Sequence, residues 1–336
     1  MSFTKYLENP EIYARYNKVK PYFKLRSSAY DLTTRCQLKC EGCYFFSGES
    51  SHVEDSTDVK KWRHFFITEQ ERGINYFNLA GAEPALVPDL LFAAWNVLPF
   101  GTIFTNGLKL IDREINYRIH ISVWGDEKGD KEYRGVNCLP KQLKNYQDDN
   151  RAVFVYTINK NNIDQLPSVA HRIVSSGHRM TFNFFSNPVG EHSPLQLDEC
   201  SRKRAYDTVV SLIEQYGSSI LFSRYSAEVH TASESLYKQF DCPCPRVADN
   251  GKKGLGIGQR YRSYRADHTH HSSSDCCAPN TECFDCRLYA AGSLIVPSRM
   301  DLHVSSEDLF RGWLDYLDVC LCLYLNDYER DIELYR

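Results

Sequence analysis

The sequence has little excess charge of either sign and no long uninterrupted apolar run. Its 336 residues include 40 lysines and arginines against 43 aspartates and glutamates, a net charge of −3, which argues against general nucleic-acid binding. The most apolar stretch, residues 90–104, is interrupted by Asn96, Pro99 and Gly101 and is too short to cross a bilayer. The charged, aromatic N-terminus does not resemble a secretory signal. We therefore expect a soluble, cytoplasmic protein whose partners include neither nucleic acid nor a membrane, and the sequence leaves its oligomeric state open.

Cysteine, by contrast, is plentiful. The chain contains 13 cysteines, and in a cytoplasmic protein disulfides do not explain them, because that compartment keeps thiols reduced. Only Cys138 and Cys200 stand alone, and the others form clusters, which indicates metal ligation. The clusters lie at positions 36/40/43, 242/244, 276/277, 283/286 and 320/322. The last pair lies among leucines and tyrosines, which is typical of core packing.

Between about residue 28 and residue 222, strand-like and helix-like segments alternate. This alternation is typical of βαβ units around a parallel sheet. Apolar stripes at helical spacing predict the intervening helices, one of them at 56–72 with Val59, Trp62 and Phe66 on its stripe. The predicted fold class is α/β, a partial (β/α)6 TIM-like barrel. Its six predicted strands lie at 28–34, 76–79, 102–105, 119–123, 153–157 and 180–184.

The pattern changes after about residue 222. Residues 242–288 are rich in cysteine, glycine, histidine and serine and have little apolar periodicity, whereas Leu309, Trp313 and Leu317 recur at helical spacing. We expect a barrel domain with an N-terminal lead-in at 1–222. A second domain at 223–336 is expected to contain a small, irregular, cysteine-rich extension and a C-terminal helix that packs on the barrel.

Cys36, Cys40 and Cys43 give a CxxxCxxC spacing directly after the first strand. Three thiolates on one loop can hold three irons of a [4Fe–4S] cube and leave the fourth iron open, whereas electron-transfer clusters normally take four cysteines. Zinc sites usually pair a CxxC with a second such pair or with histidines. A zinc loop and buried structural thiols are therefore the alternatives to a cluster with an open iron.

This spacing resembles that of the radical S-adenosylmethionine (radical SAM) enzymes, in which the open iron chelates the amino and carboxylate groups of the methionine moiety of SAM. The stretch Gly81-Ala82-Glu83-Pro84 follows the second strand and is similar to the GGEP motif of that family, with Ala82 at the second glycine. The resemblance implies that Gly81, Ala82 and Glu83 receive the methionine ammonium. It also places Gly42 where the family usually has an aromatic residue beside the adenine. The candidate for that contact is therefore the Gly42 backbone, with an aromatic residue such as Tyr44 nearby.

The resemblance implies further SAM contacts at the carboxyl ends of later strands, where barrel folds carry their working groups. Ser122 ends strand four, in the segment where the family often has a hydroxyl near the SAM carboxylate or ribose. For Ser122, a hydrogen bond at the edge of the core is the structural alternative. Tyr156 on strand five is a candidate near the ribose. Asn183 is polar among phenylalanines on strand six, and we expect it to point into the barrel.

The late cysteines resemble the SPASM and shorter twitch extensions of radical SAM enzymes, which hold auxiliary clusters. The full SPASM run is absent, so the preferred interpretation is one twitch-type auxiliary [4Fe–4S] cluster. A structural zinc at the same positions is the alternative, since both metals accept four thiolates. The expected ligands are Cys283, Cys286, one of Cys276 and Cys277, and one of Cys242 and Cys244.

In the family, an external one-electron donor such as flavodoxin or ferredoxin reduces the cluster, SAM is cleaved, and a 5′-deoxyadenosyl radical abstracts hydrogen from a C–H bond. We expect a small polar substrate (a sugar, aminocyclitol or nucleoside) that is dehydrogenated, or epimerised if Cys138 or Cys200 returns a hydrogen atom. The alternatives are a maturase that modifies a ribosomally made peptide and a non-catalytic iron–sulfur or zinc protein. Residues 1–27 are too few for a peptide-recognition module, which lowers the expectation of a peptide substrate.

Overall fold

A computed structural model describes residues 3–20, 22, 25–43, 45–46, 49–187, 192–233, 262–269, 296 and 300–326. Within these residues, parallel strands form one sheet in the order β6-β5-β4-β3-β2-β1-β7. The strands are β1 (Ser27–Asp31), β2 (Tyr76–Ala80), β3 (Gly101–Thr105), β4 (Arg118–Val123), β5 (Ala152–Ile158), β6 (Arg179–Phe184) and β7 (Ser263–Tyr264). The helices are α1 (Pro10–Val19), α2 (Val59–Glu71), α3 (Pro88–Trp95), α4 (Glu127–Arg134), α5 (Leu139–Asn145), α6 (Leu166–Ser175), α7 (Glu199–Tyr216), α8 (Arg224–Thr231), α9 (Met300–His303) and α10 (Glu307–Tyr324).

The six predicted strands are all present, each starting within one residue of its predicted position, and neighbouring strands pair in parallel. Such a series of parallel strands with intervening helices confirms the partial TIM-like barrel. The first strand ends three residues earlier than predicted, at Asp31. The reason is that Thr33 and Thr34 leave the ladder to hydrogen-bond the carboxylate of Asp55.

Alternate residues of each strand face opposite sides of the sheet. On β4, Ile119, Ile121 and Val123 are fully buried in the main core, which the helices cover. His120 faces the barrel interior and lines a cavity there, so Ser122 faces the same side. The helix layer thus supplies the hydrophobic stability, and the interior face carries the polar side chains.

The C-terminal helix α10 closes the barrel at the amino-terminal ends of the strands. Arg118 donates hydrogen bonds to the carbonyls of Cys322, at 3.0 Å, and Leu325. His120 Nε2 bonds the carbonyl of Leu323 at 2.8 Å, and the Tyr76 hydroxyl donates to that of Tyr324. The last turn of a helix leaves carbonyls without helical partners, and here the barrel wall satisfies them.

Two predicted apolar stripes need correction at one position each. Val59 and Leu309 are 39% and 40% exposed, whereas Trp62 and Trp313 on the same helices are fully buried. Each exposed residue lies in the first turn of its helix, after the N-caps Asp58 and Ser306, where the helix has not yet reached the core. The C-terminal helix is confirmed, and it packs on α1 in a second core cluster with Cys320 inside.

The described part of the chain beyond residue 222 packs directly on the barrel. The short strand β7, which was not predicted, pairs with β1, and the Tyr264 hydroxyl donates to Glu69 on α2 at 2.8 Å. The domain boundary at 222/223 stays a prediction. The candidate auxiliary ligands Cys242, Cys244, Cys276, Cys277, Cys283 and Cys286 lie outside the described residues. Within the described ranges, no helix is long and apolar enough to span a bilayer.

Candidate active site

The cysteine loop follows β1 and is held at its base by one carboxylate. Asp55 Oδ1 accepts from the backbone N–H and the hydroxyl of Thr34, at 2.7 and 2.6 Å. Asp55 Oδ2 accepts from the Thr33 hydroxyl and lies 3.6 Å from Arg35 Nε. These bonds fix the direction in which the chain leaves β1, and therefore the position at which the cysteines begin.

Each of the three sulfurs has N–H donors near it. Cys36 Sγ lies 3.4 Å from the backbone nitrogen of Leu38 and 3.7 Å from Asn106 Nδ2. The guanidinium of Arg134 interacts electrostatically with Cys40, and the backbone N–H groups of residues 45 and 46 act to lower the pKa of Cys43. Burial raises the pKa of the Cys36 and Cys43 thiols, and the N–H donors act in the opposite direction.

This donor set fits an iron–sulfur cluster. N–H groups directed at sulfur stabilise thiolates, the form in which cysteine binds metal. In the part of the chain that the structure describes, no three cysteine, histidine or acidic side chains are placed to hold a single metal ion. A cube does not require such convergence, because each of its ligands binds a different iron.

Glu83 requires a correction to the expected role of its side chain. The residue is 1% exposed, and its Oε1 accepts from the Thr105 hydroxyl at 2.6 Å and from the Ala85 N–H at 3.0 Å. Its Oε2 accepts from the Asn106 N–H at 2.7 Å. Burial raises the pKa of Glu83, although these donors lower it. The carboxylate therefore joins the ends of β2 and β3 instead of facing a ligand, and only the motif's backbone remains for an ammonium group.

The backbone of this motif lies against the end of β1. Gly81 has a φ of +121°, and a Cβ there would lie 2.9 Å from the carbonyl oxygen of Thr33. The N–H of Ala82 donates to that same oxygen at 2.9 Å. A glycine is thus required at position 81. Ala82 is half-buried, and its methyl group is accommodated in this structure, as expected for a small residue.

Gly42, the departure from the family pattern, has a steric explanation. Its φ is +66°, and a Cβ there would lie 2.7 Å from Cε2 of Phe185. Phe185 belongs to a buried cluster with Trp124, Tyr133 and Leu195. An aromatic side chain at position 42 would collide with that cluster. Tyr44, the aromatic residue expected near the adenine, lies outside the described residues.

Ser122 and Asn183 both face the barrel interior. Asn183 lines a cavity of about 60 Å³ together with His120, Val155 and Thr181, so its predicted direction is confirmed. Ser122 is half-buried, and its carbonyl accepts from Arg134 Nη1 at 2.6 Å and from Gln142 Nε2 at 2.9 Å. Contact of either side chain with SAM stays a prediction.

Tyr156 faces the other side of the sheet, so the expectation of a ribose contact is not supported. It is fully buried in the main core, and its hydroxyl donates to the carbonyl of Asn162 at 2.8 Å. Because side chains alternate along a strand, the interior-facing neighbours on β5 are Val155 and Thr157. Val155 lines the cavity.

Of the two isolated cysteines, Cys138 is buried in the helix layer and Cys200 lies on its surface. Cys138 is fully buried, its thiol is 3.6 Å from the carbonyl of Val136, and burial raises its pKa to about 11. Cys200 is exposed in the first turn of α7. Neither is on an interior-facing strand position, and a hydrogen-donor role for either stays a prediction.

Arg134 is the residue that sequence reasoning missed. It is 3% exposed, it contacts Cys40 and the carbonyl of Ser122, and its Nη1 lies 3.9 Å from Asp130 Oδ1. Burial alone lowers its pKa, but Cys138, Asp130 and Cys40 raise it above the ordinary value. A buried cation beside the cysteine loop suits an anionic ligand. The only sequence signal was the Asp130–Arg134 spacing of one helical turn.

Solved structures share this fold. The chain superposes on anSMEcpe with bound AdoMet at a TM-score of 0.54 and 13% identity, over 92% of this chain and 95% of that one. In sequence, it is 26% identical over 166 residues to the sporulation killing factor maturation protein SkfB of Bacillus subtilis strain 168. The resemblance to radical SAM enzymes is confirmed. No protein-family model matches the sequence.

A second structural neighbour is SuiB of Streptococcus suis, solved with S-adenosylmethionine and with the precursor peptide SuiA. The TM-scores are 0.52 and 0.54, at 17% and 16% identity. The chain spans 58% and 60% of those SuiB chains, and its match to SkfB spans 40% of SkfB. At these identities, the structural likeness shows the fold.

Proposed function

We propose that this chain is a radical SAM enzyme that modifies a ribosomally made peptide. The observation that carries the enzyme class is the CxxxCxxC loop at the end of β1, with two N–H donors at the sulfur of Cys36 and the buried Arg134 guanidinium beside Cys40. The substrate class is supported by the relatives. SkfB is named a maturation protein, and SuiB was solved with a precursor peptide.

In this proposal, Cys36, Cys40 and Cys43 hold a [4Fe–4S] cluster. When bound, the reduced cluster and SAM supply hydrogen-atom abstraction from an unactivated C–H bond. The chain's own groups bind and orient SAM. The backbone of Gly81 and Ala82 receives the ammonium group, because the Glu83 carboxylate is already occupied. Arg134 and Ser122 face the SAM carboxylate, which the buried guanidinium charge stabilises.

The described part of the barrel is closed at the amino-terminal ends of its strands, where Arg118, His120 and Tyr76 bind the end of α10. Among the described residues, the carboxyl ends of the strands and the open side of the sheet are left as approaches to the cysteine loop. In this proposal, a substrate that fills this approach excludes solvent from the reacting carbon, which protects a reactive intermediate from competing hydrogen donors.

The sequence favoured a small polar substrate, such as a sugar, aminocyclitol or nucleoside, and the relatives favour the peptide alternative. A partner protein can supply the peptide-recognition module that residues 1–27 are too few to form. Three further features belong to the proposal. They are dehydrogenation or epimerisation as the net outcome at carbon, an auxiliary cluster on the late cysteines, and an external electron donor such as flavodoxin or ferredoxin.

The test of the enzyme class is the Cys36→Ala/Cys40→Ala/Cys43→Ala triple variant, reconstituted anaerobically. We expect iron to fall by about four per chain and dithionite-dependent cleavage of SAM to 5′-deoxyadenosine to disappear. Cys322→Ala, on α10 and half-buried, is the control and should keep both. Unchanged SAM cleavage in the triple variant would contradict the proposal and favour a non-catalytic metal protein.

The test of the substrate class compares two pools. One is a library of peptides synthesised from deuterated amino acids, and the other is a panel of deuterated sugars, aminocyclitols and nucleosides. We expect deuterium to enter 5′-deoxyadenosine from the peptide pool, as measured by mass spectrometry. Deuterium transfer from the second pool alone would restore the small-molecule alternative.

A further inference from the structure

The side-chain amide of Asn106 has a fixed orientation beside the cysteine loop. Its Oδ1 accepts from the backbone N–H of Leu108 at 3.0 Å and from Gln37 Nε2 at 3.1 Å. Two donors at one atom decide which end of an amide is oxygen. The NH2 end therefore faces Cys36, with Nδ2 at 3.7 Å from Sγ.

The backbone of Asn106 is held as firmly as its side chain. Its N–H donates to Glu83 Oε2 at 2.7 Å, and its carbonyl accepts from Gln142 Nε2 at 2.8 Å. The residue is 7% exposed, whereas Cys36 is half-buried. A hydrogen bond from an amide that is shielded from water in this way is stronger than the same bond in water.

We infer that Asn106 raises the reduction potential of the cluster by donating an N–H···S hydrogen bond to its ligand Cys36. Reduction adds negative charge that is shared with the cluster sulfurs, and a donor at sulfur stabilises that charge. Hydrogen bonding to sulfur is one of the protein's main controls on such potentials. The inference rests on the proposed function, since it requires the cluster, and it makes Asn106 a positioning residue and not a catalytic one.

The test is the midpoint potential of the SAM-free cluster in Asn106→Asp and Asn106→Ser, from redox titration followed by EPR. Aspartate keeps the acceptor for Leu108 and Gln37 but replaces the donor with a negative oxygen. Serine also caps such a turn and is neutral. Both potentials should become more negative than that of the wild type, with the larger shift for Asn106→Asp.

Asn145→Ala is the matched control. Asn145 Nδ2 donates to the carbonyl of Gly107 at 3.0 Å, in the same turn, and Asn145 is not one of the donors to Cys36 Sγ. The midpoint potential of the cluster in this variant should stay at the wild-type value. Unshifted potentials in both Asn106 variants, or an equal shift in the control, would overturn the inference.

A measurement on the wild type does not depend on variant folding. Pulsed EPR of the reduced cluster in protein labelled with ¹⁵N-asparagine should show coupling to an asparagine nitrogen, and its absence would refute the hydrogen bond. A wild-type protein with no cluster signal would refute the proposed function, and this inference with it. A normal signal without that coupling would refute the inference alone.

Discussion

At the scale of single residues, the space around Gly42 explains why the loop departs from the pattern of the family that it resembles. A left-handed backbone is disfavoured for any residue with a Cβ, by about 1–2 kcal/mol. At Gly42 the ring of Phe185 adds a contact at 2.7 Å. The aromatic cluster that contains Phe185 therefore occupies the space in which the family usually has an aromatic side chain from the residue before the third cysteine.

We predict that Gly42→Ala lowers the free energy of unfolding by more than the backbone cost alone, about 2–4 kcal/mol in total. Gly177→Ala is the control, because Gly177 has a φ of +81° with no atom within 4 Å of its added Cβ. Urea unfolding of the two variants measures the difference. Phe185→Leu should partly rescue Gly42→Ala. Equal losses at the two glycines would show that the ring contact carries no cost.

At the scale of elements, Glu69 on α2 joins β1 and β7. Its carboxylate accepts from Tyr30 at 2.9 Å and from Tyr264 at 2.8 Å, and it pairs with Arg72 at 2.6 Å. Burial raises the pKa of Glu69, but the bonds from Arg72, Tyr264 and Tyr30 outweigh it and hold the pKa below 4.5. The carboxylate is thus charged in the folded protein and fully paired.

We predict that Glu69→Gln lowers the free energy of unfolding by about 2 kcal/mol at pH 7, because it removes the negative charge that accepts from half-buried Arg72 and from the buried Tyr30 and Tyr264. A depressed folded-state pKa stabilises the protein above the unfolded value and is lost as the pH falls through the folded value. The gap between wild type and variant should therefore narrow below pH 4.5. Denaturant unfolding at a series of pH values measures this difference in unfolding free energy. Glu71→Gln is the control, because Glu71 is exposed. A gap independent of pH would contradict the prediction.

At the scale of the whole molecule, the floor of the barrel is made by backbone carbonyls at the end of α10. Arg118 bonds two of them and is 3% exposed. A cation is also favoured at a helix C-terminus by the helix dipole. One strand residue thus attaches the last described helix to a strand that lies about 200 residues earlier in the sequence, since Arg118 and Cys322 are 204 residues apart.

We predict that Arg118→Met lowers the unfolding temperature and exposes α10 to protease, because hydrogen bonds from a charged donor are worth about 1.5–3 kcal/mol each. Thermal unfolding and limited proteolysis followed by mass spectrometry measure the two effects. Arg113→Met is the control, since Arg113 is exposed and donates to one carbonyl, at 3.2 Å. If α10 were no more accessible to protease in Arg118→Met than in the control, the hydrogen bonds from Arg118 would not be what holds α10 on the barrel.

Short-range patterns in the sequence predicted the barrel and the position of the cysteine loop. Strand alternation, helix spacing and caps are local properties, so they can be read over ten or twenty residues. The strands at 76–79 and 180–184 and the C-terminal helix were found in this way. The two-residue strand β7 was missed, because its pairing with β1 comes from distant parts of the chain.

The fold class, the spacing of the three thiols and the position of Gly81 after β2 could be read from the sequence, since each shows in a local pattern. The need for a glycine there comes from the tertiary structure, because a Cβ at position 81 would lie 2.9 Å from the Thr33 carbonyl oxygen. The tertiary structure also decides how the side chains around the thiols are used. It directed Tyr156 into the core, occupied the Glu83 carboxylate, and brought Arg134 and Asn106 to two of the sulfurs. Those contacts join residues far apart in sequence, and their direction depends on which face of a strand or helix the fold turns towards the site.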